Sequence, residues 1–288
     1  MTWEETIKFI RTKPEFKELV EKAYFDEDLV VNIERFKASE EYKETLTILG
    51  RYAPGGKTIL DVGSGNGISA VCFALDGFDV TSSEPDPSLT IGAGAILWLK
   101  NYYKLPNLEV YEAFAEEIPI SDQLFDVVYV RQAMHHAYNL KQFIHNITTL
   151  LKPNGLLLTI RDHVIYNEND KQWFLESHPL HKFYGGENAF TIKEYKEAME
   201  QAGLQVREIL GYYDSVVNYF PLTRTDLEQM KSDAKHQLIS RLASKIGPLS
   251  RLPFLQKLFA SLIDLDHKIF DESKTPGRMY SFIAVKSE

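Results

Sequence analysis

A chain of 288 residues, 44% of them hydrophobic, has enough apolar material for a substantial core in one large domain or two small ones. Its net charge of −9 argues against general nucleic-acid binding, which depends on neutralising phosphates, and its single cysteine, Cys72, excludes a disulfide framework or a thiolate metal site. No apolar run reaches the length of a transmembrane helix, and Met1-Thr-Trp-Glu-Glu5 lacks the basic and apolar regions of a signal peptide, so a cytoplasmic protein is expected.

Helical patterns open the chain over Thr2–Arg11, Pro14–Tyr24 and Glu40–Tyr52 and carry Trp3, Phe9, Phe16 and Tyr24. Residues 1–52 are therefore expected to form an N-terminal helical cap, which would help exclude water from a ligand mouth. A domain over 53–288 follows. Its first strand, Thr58–Val62, runs straight into Asp61-Val-Gly-Ser-Gly-Asn-Gly67 and then a helix over Ile68–Leu75, with Cys72 on its apolar face as a core residue. Glycine at every second position lets the backbone take positive φ and approach a ligand where a Cβ would collide.

Further strands are expected at Phe78–Ser82, Leu108–Tyr111, Phe125–Val130 and Gly155–Arg161, with helices between them, which is the pattern of a parallel sheet covered on both faces. Asp86 is expected to cap a helix starting near Pro87. Thr191-Ile-Lys-Glu194 is a capping box opening a helix to about Gln201, closed by Gly203, and Leu204–Tyr212 reads as a sixth strand. The final segment, Arg278–Lys286, is rich in β-branched and aromatic residues and reads as a seventh.

Between those two strands lies an insertion, 221–276, helical over Arg224–Lys245 and Pro253–Phe270 with a break at Gly247-Pro248. Leu255, Leu258, Phe259, Leu262 and Ile263 recur there at helical spacing, as a core face or a surface for a membrane or partner. Lys231–Lys257 holds six basic residues against one acid, Asp233. This stretch reads as a solvated helix face or as a contact for an anionic substrate, a lipid surface or an acidic partner.

The glycine spacing departs from the dinucleotide fingerprint, which would place its third glycine at Ile68, and an acid before the first glycine suits an ammonium group better than a phosphate. Acid-x-Gly-x-Gly-x-Gly over Asp61–Gly67, Glu84 after the second strand and Leu150-Leu-Lys-Pro-Asn-Gly155 before the fifth together resemble the class I S-adenosylmethionine-dependent methyltransferases. The resemblance spans most of Thr58–Ile160. It implies a doubly wound α/β fold with seven strands, mostly parallel, the last antiparallel and slotted between the fifth and sixth. It also implies S-adenosylmethionine as cofactor.

On this resemblance Asp61, Gly63, Ser64, Gly65 and Gly67 form the cofactor loop, and Glu84, beside Pro85, accepts from the ribose hydroxyls. Where the family often reads Asp-Ala-Glu after the third strand, this chain has Phe114-Ala-Glu116. Adenine contacts are therefore expected from Ala115 and Glu116, or from the Phe114 ring. Arg131 and Gln132 follow the fourth strand beside the methionine portion. Arg131 would pair with the cofactor carboxylate or stand solvated.

Methyl transfer from a sulfonium needs alignment and, for a hydroxyl acceptor, a base. Histidine suits that role, and either His136 or His181 is the expected base. His135, Arg161, Asp162, His163, His178, Tyr184 and Glu187 are expected to shape the acceptor pocket, with residues 166–190 as the acceptor loop. His178 and His181 stand three apart as a metal pair would, with Asp162 or His163 as a further ligand. Pro179 breaks their helical register, so no metal is expected. The expected activity is methyl transfer to a hydroxyl of a small-molecule or glycan-like acceptor. The alternatives are C- or N-methylation of a quinone-like or lipid-like molecule, or a non-catalytic cofactor-binding scaffold.

Overall fold

Alternation of apolar strands with amphipathic helices builds a central sheet, described in a computed structural model over residues 1–120, 123–219, 221–246 and 271–287. Helices α1 (Trp3–Arg11), α2 (Lys17–Lys22), α3 (Leu29–Ala38) and α4 (Glu40–Tyr52) precede β1 (Thr58–Val62). Then follow α5 (Ile68–Leu75), β2 (Asp79–Ser83), α6 (Ala93–Tyr103), β3 (Leu108–Tyr111), β4 (Phe125–Arg131), α7 (Leu140–Thr149) and β5 (Leu151–Ile165). The remainder comprises α8 (Glu168–Ser177), α9 (His181–Tyr184), β6 (Phe190–Thr191), α10 (Ile192–Gln201), β7 (Leu204–Leu210), α11 (Val216–Tyr219), α12 (Arg224–Ile246) and β8 (Arg278–Lys286).

The strand order is β3-β2-β1-β4-β5-β8-β7, with β6 paired to β5 off this path. The pairings from β3 through to β5 are parallel, and β8 runs antiparallel between β5 and β7. This is the expected doubly wound α/β sheet. Its central strands are near-continuous apolar runs because helices cover both faces. Leu60, Val128, Val130, Phe143, Ile147, Tyr195, Met199 and Phe282 fill one core layer, while Cys72 is buried on α5.

Most elements lie where the sequence places them, and the capping box at Thr191 and Glu194 is formed. Several differ. Helix α3 was not expected because Leu29-Val-Val-Asn-Ile33 is poor in helix formers. Asp28 starts it, accepting from the N–H groups of Val30 and Val31. Asp86 caps no helix; its Oδ1 closes a turn on Ser88 N at 2.8 Å, and the next helix starts only at Ala93. The sixth expected strand, β7, stops at Leu210, and the short β6 was not foreseen.

The correction that matters for the site is in β5. It does not stop at Arg161 but continues through a register shift between Thr159 and Asp162, with Arg161 at φ +62°. Asp162 and His163 are therefore strand residues, held rigidly on a bulge, rather than loop residues.

Helices α1 to α4 belong to the same compact unit as the sheet, which comprises 1–218 and 276–288. Trp3 packs on Tyr184 with ring centroids 4.7 Å apart and Phe9 on Phe183 at 5.3 Å, so α1 lies against α9. The second unit, 219–275, contains α12, which agrees with the expected Arg224–Lys245 helix. Arg251, Lys257 and the helical piece expected at Pro253–Phe270, with its break at Gly247-Pro248, lie outside the described residues. No helix among the described residues is long and apolar enough to cross a membrane.

Candidate active site

The carboxyl ends of β1, β2, β4 and β5 meet at one edge of the sheet, where open α/β sheets bind ligands. The glycine loop leaves β1 with Gly63, Gly65 and Gly67 all at positive φ. Two of these glycines are packing requirements. A Cβ on Gly63 would stand 2.5 Å from Ala133 Cβ, and one on Gly67 would stand 2.8 Å from Ile96 Cγ1. At Gly65 a Cβ would enter open space, so this glycine faces the side a ligand would take.

Hydrogen bonds hold the loop in shape. Gly63 N donates to Ser83 O at 2.8 Å and Gly67 N to Ser64 O at 2.9 Å. Ser64 Oγ donates to Asp61 O and receives the Ser82 hydroxyl at 2.8 Å. Asn66 Nδ2 reaches Tyr24 O at 2.7 Å, tying the loop to the N-terminal helices.

Two buried carboxylates border this loop. Burial pushes the Asp61 carboxyl up to about 7, opposed by Ser64, Arg131 and the Ala70 N–H. Neither of its oxygens has a hydrogen-bond partner of good geometry among the described residues. Glu84 is also pushed up to about 7 by burial, while its oxygens accept from Gly65 N at 2.7 Å and Asp86 N at 2.9 Å. The end of β2 thus clamps the glycine loop through the residue expected to meet a ribose. After β3, Ala115 is buried and Phe114 is largely exposed.

At the end of β4, Arg131 is held rather than solvated. Its Nε and Nη2 meet the two oxygens of Glu41 at 2.7 and 3.2 Å, and Nη1 meets Gln132 Oε1 at 3.0 Å. Burial works against its charge, and Glu41 restores it, keeping the guanidinium protonated. Arg161 Nη1 lies 3.7 Å from the same carboxylate. Glu41, buried on α4, has no counterpart among the site residues expected from sequence. Nothing local distinguishes it from Glu40, a half-buried acid in the same first turn.

The histidines converge. His135 is buried, with Nδ1 3.1 Å from Asp162 Oδ1 and Nε2 3.5 Å from Glu187 Oε2. Burial disfavours its charge, but these two carboxylates raise it to about 9, so at neutral pH the ring is an imidazolium. Glu187, despite its own burial, is held well below the usual carboxylate range by His135, and it also accepts from the Tyr184 hydroxyl.

His136 packs against His135 with ring centroids 4.1 Å apart and the planes tilted by 40°, while its other side meets solvent. Desolvation of the packed side, and then the His135 charge, lower its pKa. Its Nδ1 lies 2.9 Å from Gly186 O, a pure acceptor, so Nδ1 carries the proton and Nε2 is left with a lone pair.

His163 Nδ1 meets Gly277 O, and the ring packs edge-on to His135 at 4.7 Å. His178 Nδ1 accepts from His181 N at 3.2 Å. His135, His136, His163, His178, Asp162, Tyr184 and Glu187 therefore form one group. His181 touches it through its backbone. Arg161 stands apart, beside Glu41.

A sheet of this order with a glycine loop at its switch point is the architecture of a class I methyltransferase. A family profile described as a methyltransferase domain matches residues 34–209, and the chain belongs to the class I S-adenosylmethionine-dependent methyltransferases. The chain is 38% identical over 100 residues to a ubiquinone biosynthesis O-methyltransferase of Rickettsia prowazekii. That match covers 35% of this chain and 38% of the relative, well under half of its length. A protein of the same name from Rickettsia canadensis is 30% identical over 176 residues, covering 57% of this chain and 70% of that one. Among solved structures, geranyl diphosphate C-methyltransferase from Streptomyces coelicolor has the same fold. Its TM-score is 0.56 at 14% identity, with 89% of this chain and 84% of that one covered.

The residues present fit S-adenosylmethionine. The buried Asp61 carboxylate, with no hydrogen-bond partner of good geometry among the described residues, suits an ammonium group, and the open side of Gly65 admits a ligand against backbone.

Proposed function

We propose that the chain is an S-adenosylmethionine-dependent O-methyltransferase whose acceptor is a hydroxyl of a quinol-like molecule related to a ubiquinone precursor. The observation that carries this reading is the contact of Gly63 with Ala133. It sets the cofactor loop against the segment that presents His135 and His136. The glycan-like acceptor expected from the sequence gains nothing from the relatives. The quinone-like alternative does, because the curated relatives are named for ubiquinone biosynthesis.

When bound, S-adenosylmethionine would supply a sulfonium methyl group to a nucleophile, with S-adenosylhomocysteine as the leaving group. Around it, Asp61 holds the ammonium, Glu84 the ribose, and Ala115 with Glu116 the adenine edge. Gln132 closes the methionine side, with Arg131 acting through its pair with Glu41. An aromatic hydroxyl ionises near pH 10, so transfer at neutral pH benefits from a group that takes its proton. His136 Nε2 fills that role: it is neutral, carries a lone pair and is accessible. His135 is already protonated and stabilises the negative charge that develops on the acceptor oxygen.

Calorimetry with S-adenosylmethionine, S-adenosylhomocysteine and NAD, followed by a methyl-transfer assay on a short-chain quinol and on a glycan, tests the reading. Micromolar binding of both sulfur compounds and product from the quinol alone is the expected result. Binding of NAD in their place, or methylation confined to the glycan, overturns it.

A further inference from the structure

The histidine group has a feature that a base and its supports do not require. One ligand-type atom from each of His135, His163 and Glu187 lies within 4.8 Å of the other two. The surrounding hydrogen bonds determine which lone pairs remain.

His135 Nδ1 faces the Asp162 carboxylate, so the neutral ring keeps its proton there and leaves a lone pair on Nε2. His163 Nδ1 faces the Gly277 carbonyl, which only accepts, so its Nε2 is also the unprotonated nitrogen. Glu187 Oε1 is engaged by the Tyr184 hydroxyl and faces His178 Nε2 at 3.6 Å. His178 accepts the His181 N–H on Nδ1, so its proton is on Nε2 and it supports Glu187 rather than competing with it. Glu187 Oε2 remains, buried and without a hydrogen-bond partner of good geometry among the described residues.

We propose that His135, His163 and Glu187 form a binding site for a divalent transition-metal ion of the zinc, cobalt and iron(II) kind. Donor atoms around such an ion stand about 3 to 3.5 Å apart, and His135 Nε2 to Glu187 Oε2 is 3.5 Å. Both imidazoles have the outer partner that metal-bound histidines use, a carboxylate for one and a backbone carbonyl for the other. Two histidines and one carboxylate leave coordination positions open to oxygen ligands. In the metal-free protein a proton on His135 takes the place of the cation, so binding releases it.

This set shares only His163 with the group considered from sequence, His178 and His181 with Asp162 or His163. It comes instead from three separate stretches, the turn after β4, the bulged end of β5 and the segment after α9. Use of the ion to polarise an acceptor hydroxyl rests on the function proposed above; binding of the ion does not.

The test is titration of chelator-treated full-length protein with Co2+, read by visible absorption, with Zn2+ as competitor. Saturable, stoichiometric binding that Zn2+ displaces is expected. Glu187→Gln and His163→Gln should weaken it about a hundredfold, and His145→Ala, on the exposed face of α7, should leave it unchanged. Circular dichroism checks that each variant is folded, and the near-isosteric Glu187→Gln decides if His163→Gln fails to fold. No saturable Co2+ spectrum in the wild type, or an unaltered one in Glu187→Gln, overturns the site. Intact S-adenosylmethionine binding in the same samples would then leave the methyltransferase reading standing.

Discussion

Arg131 and Glu41 form a two-point ion pair that joins the carboxyl end of β4 to the helix preceding the sheet. Glu41 is fully buried, and Arg131 is sandwiched over the Tyr24 and Phe36 rings at 5.8 and 5.3 Å. Removing one member leaves a buried charge uncompensated, which costs far more than the pair contributes as a unit. Glu41→Gln should therefore destabilise by about 3 kcal/mol, measured by urea unfolding. Replacing both residues by apolar ones, Glu41→Leu with Arg131→Met, should recover only part of the loss, because the buried Arg161 also faces the Glu41 carboxylate.

The glycines of the loop separate stability from binding. Gly63→Ala meets Ala133 and should both lower the melting temperature and abolish cofactor binding. Gly65→Ala meets nothing and pays only the left-handed backbone penalty of about 1 to 2 kcal/mol. It should stay folded at room temperature while losing at least tenfold in S-adenosylmethionine affinity by calorimetry.

How much of this was legible beforehand follows from range along the chain. The loop from Asp61 to Gly67 is local, and its strand, its positive-φ glycines and its helix could be read directly. So could the Thr191 capping box and the antiparallel last strand, once the loop pointed to a fold. Glu41 could not be read, because its importance lies in a partner ninety positions away. The bulge at Arg161 could not be read either. An arginine at φ +62° is imposed by the pairing of β5 with β8, not by its own preference, and that bulge brings Asp162 under His135. The acceptor lay beyond local reading too, and the glycan-like expectation gave way to a quinol-like one only through the relatives.

Asp61 and Glu84 give the site a pH signature. Both carboxyls are raised to about 7 by burial, against about 4 in an unfolded chain. Between those values the folded protein holds the extra protons. The stability they contribute is complete below pH about 4 and is lost as pH rises through about 7. Asp61→Asn removes one such group, so its melting temperature should gain on the wild type as pH rises from about 5 to about 8. Cofactor affinity should move the other way. An ammonium ligand favours the ionised carboxylate, so wild-type affinity should rise through pH 7 and Asp61→Asn should bind weakly throughout. A flat difference in melting temperature between the two proteins would refute the assignment.

His136 and His181 are separated by what surrounds them. His136 Nδ1 is anchored on Gly186 O, and the ring sits on His135 at the end of β4. His181 stands at the start of α9, and its Nδ1 is buried without a hydrogen-bond partner of good geometry among the described residues. A base worth about a hundredfold or more placed at His136 predicts that His136→Ala loses that factor in kcat with cofactor affinity intact. The residual rate should rise with pH as the acceptor ionises without help. His181→Ala should lose less than tenfold in kcat. If it loses more than His136→Ala, with S-adenosylmethionine binding unchanged in both, the base is His181 and the His136 assignment is wrong.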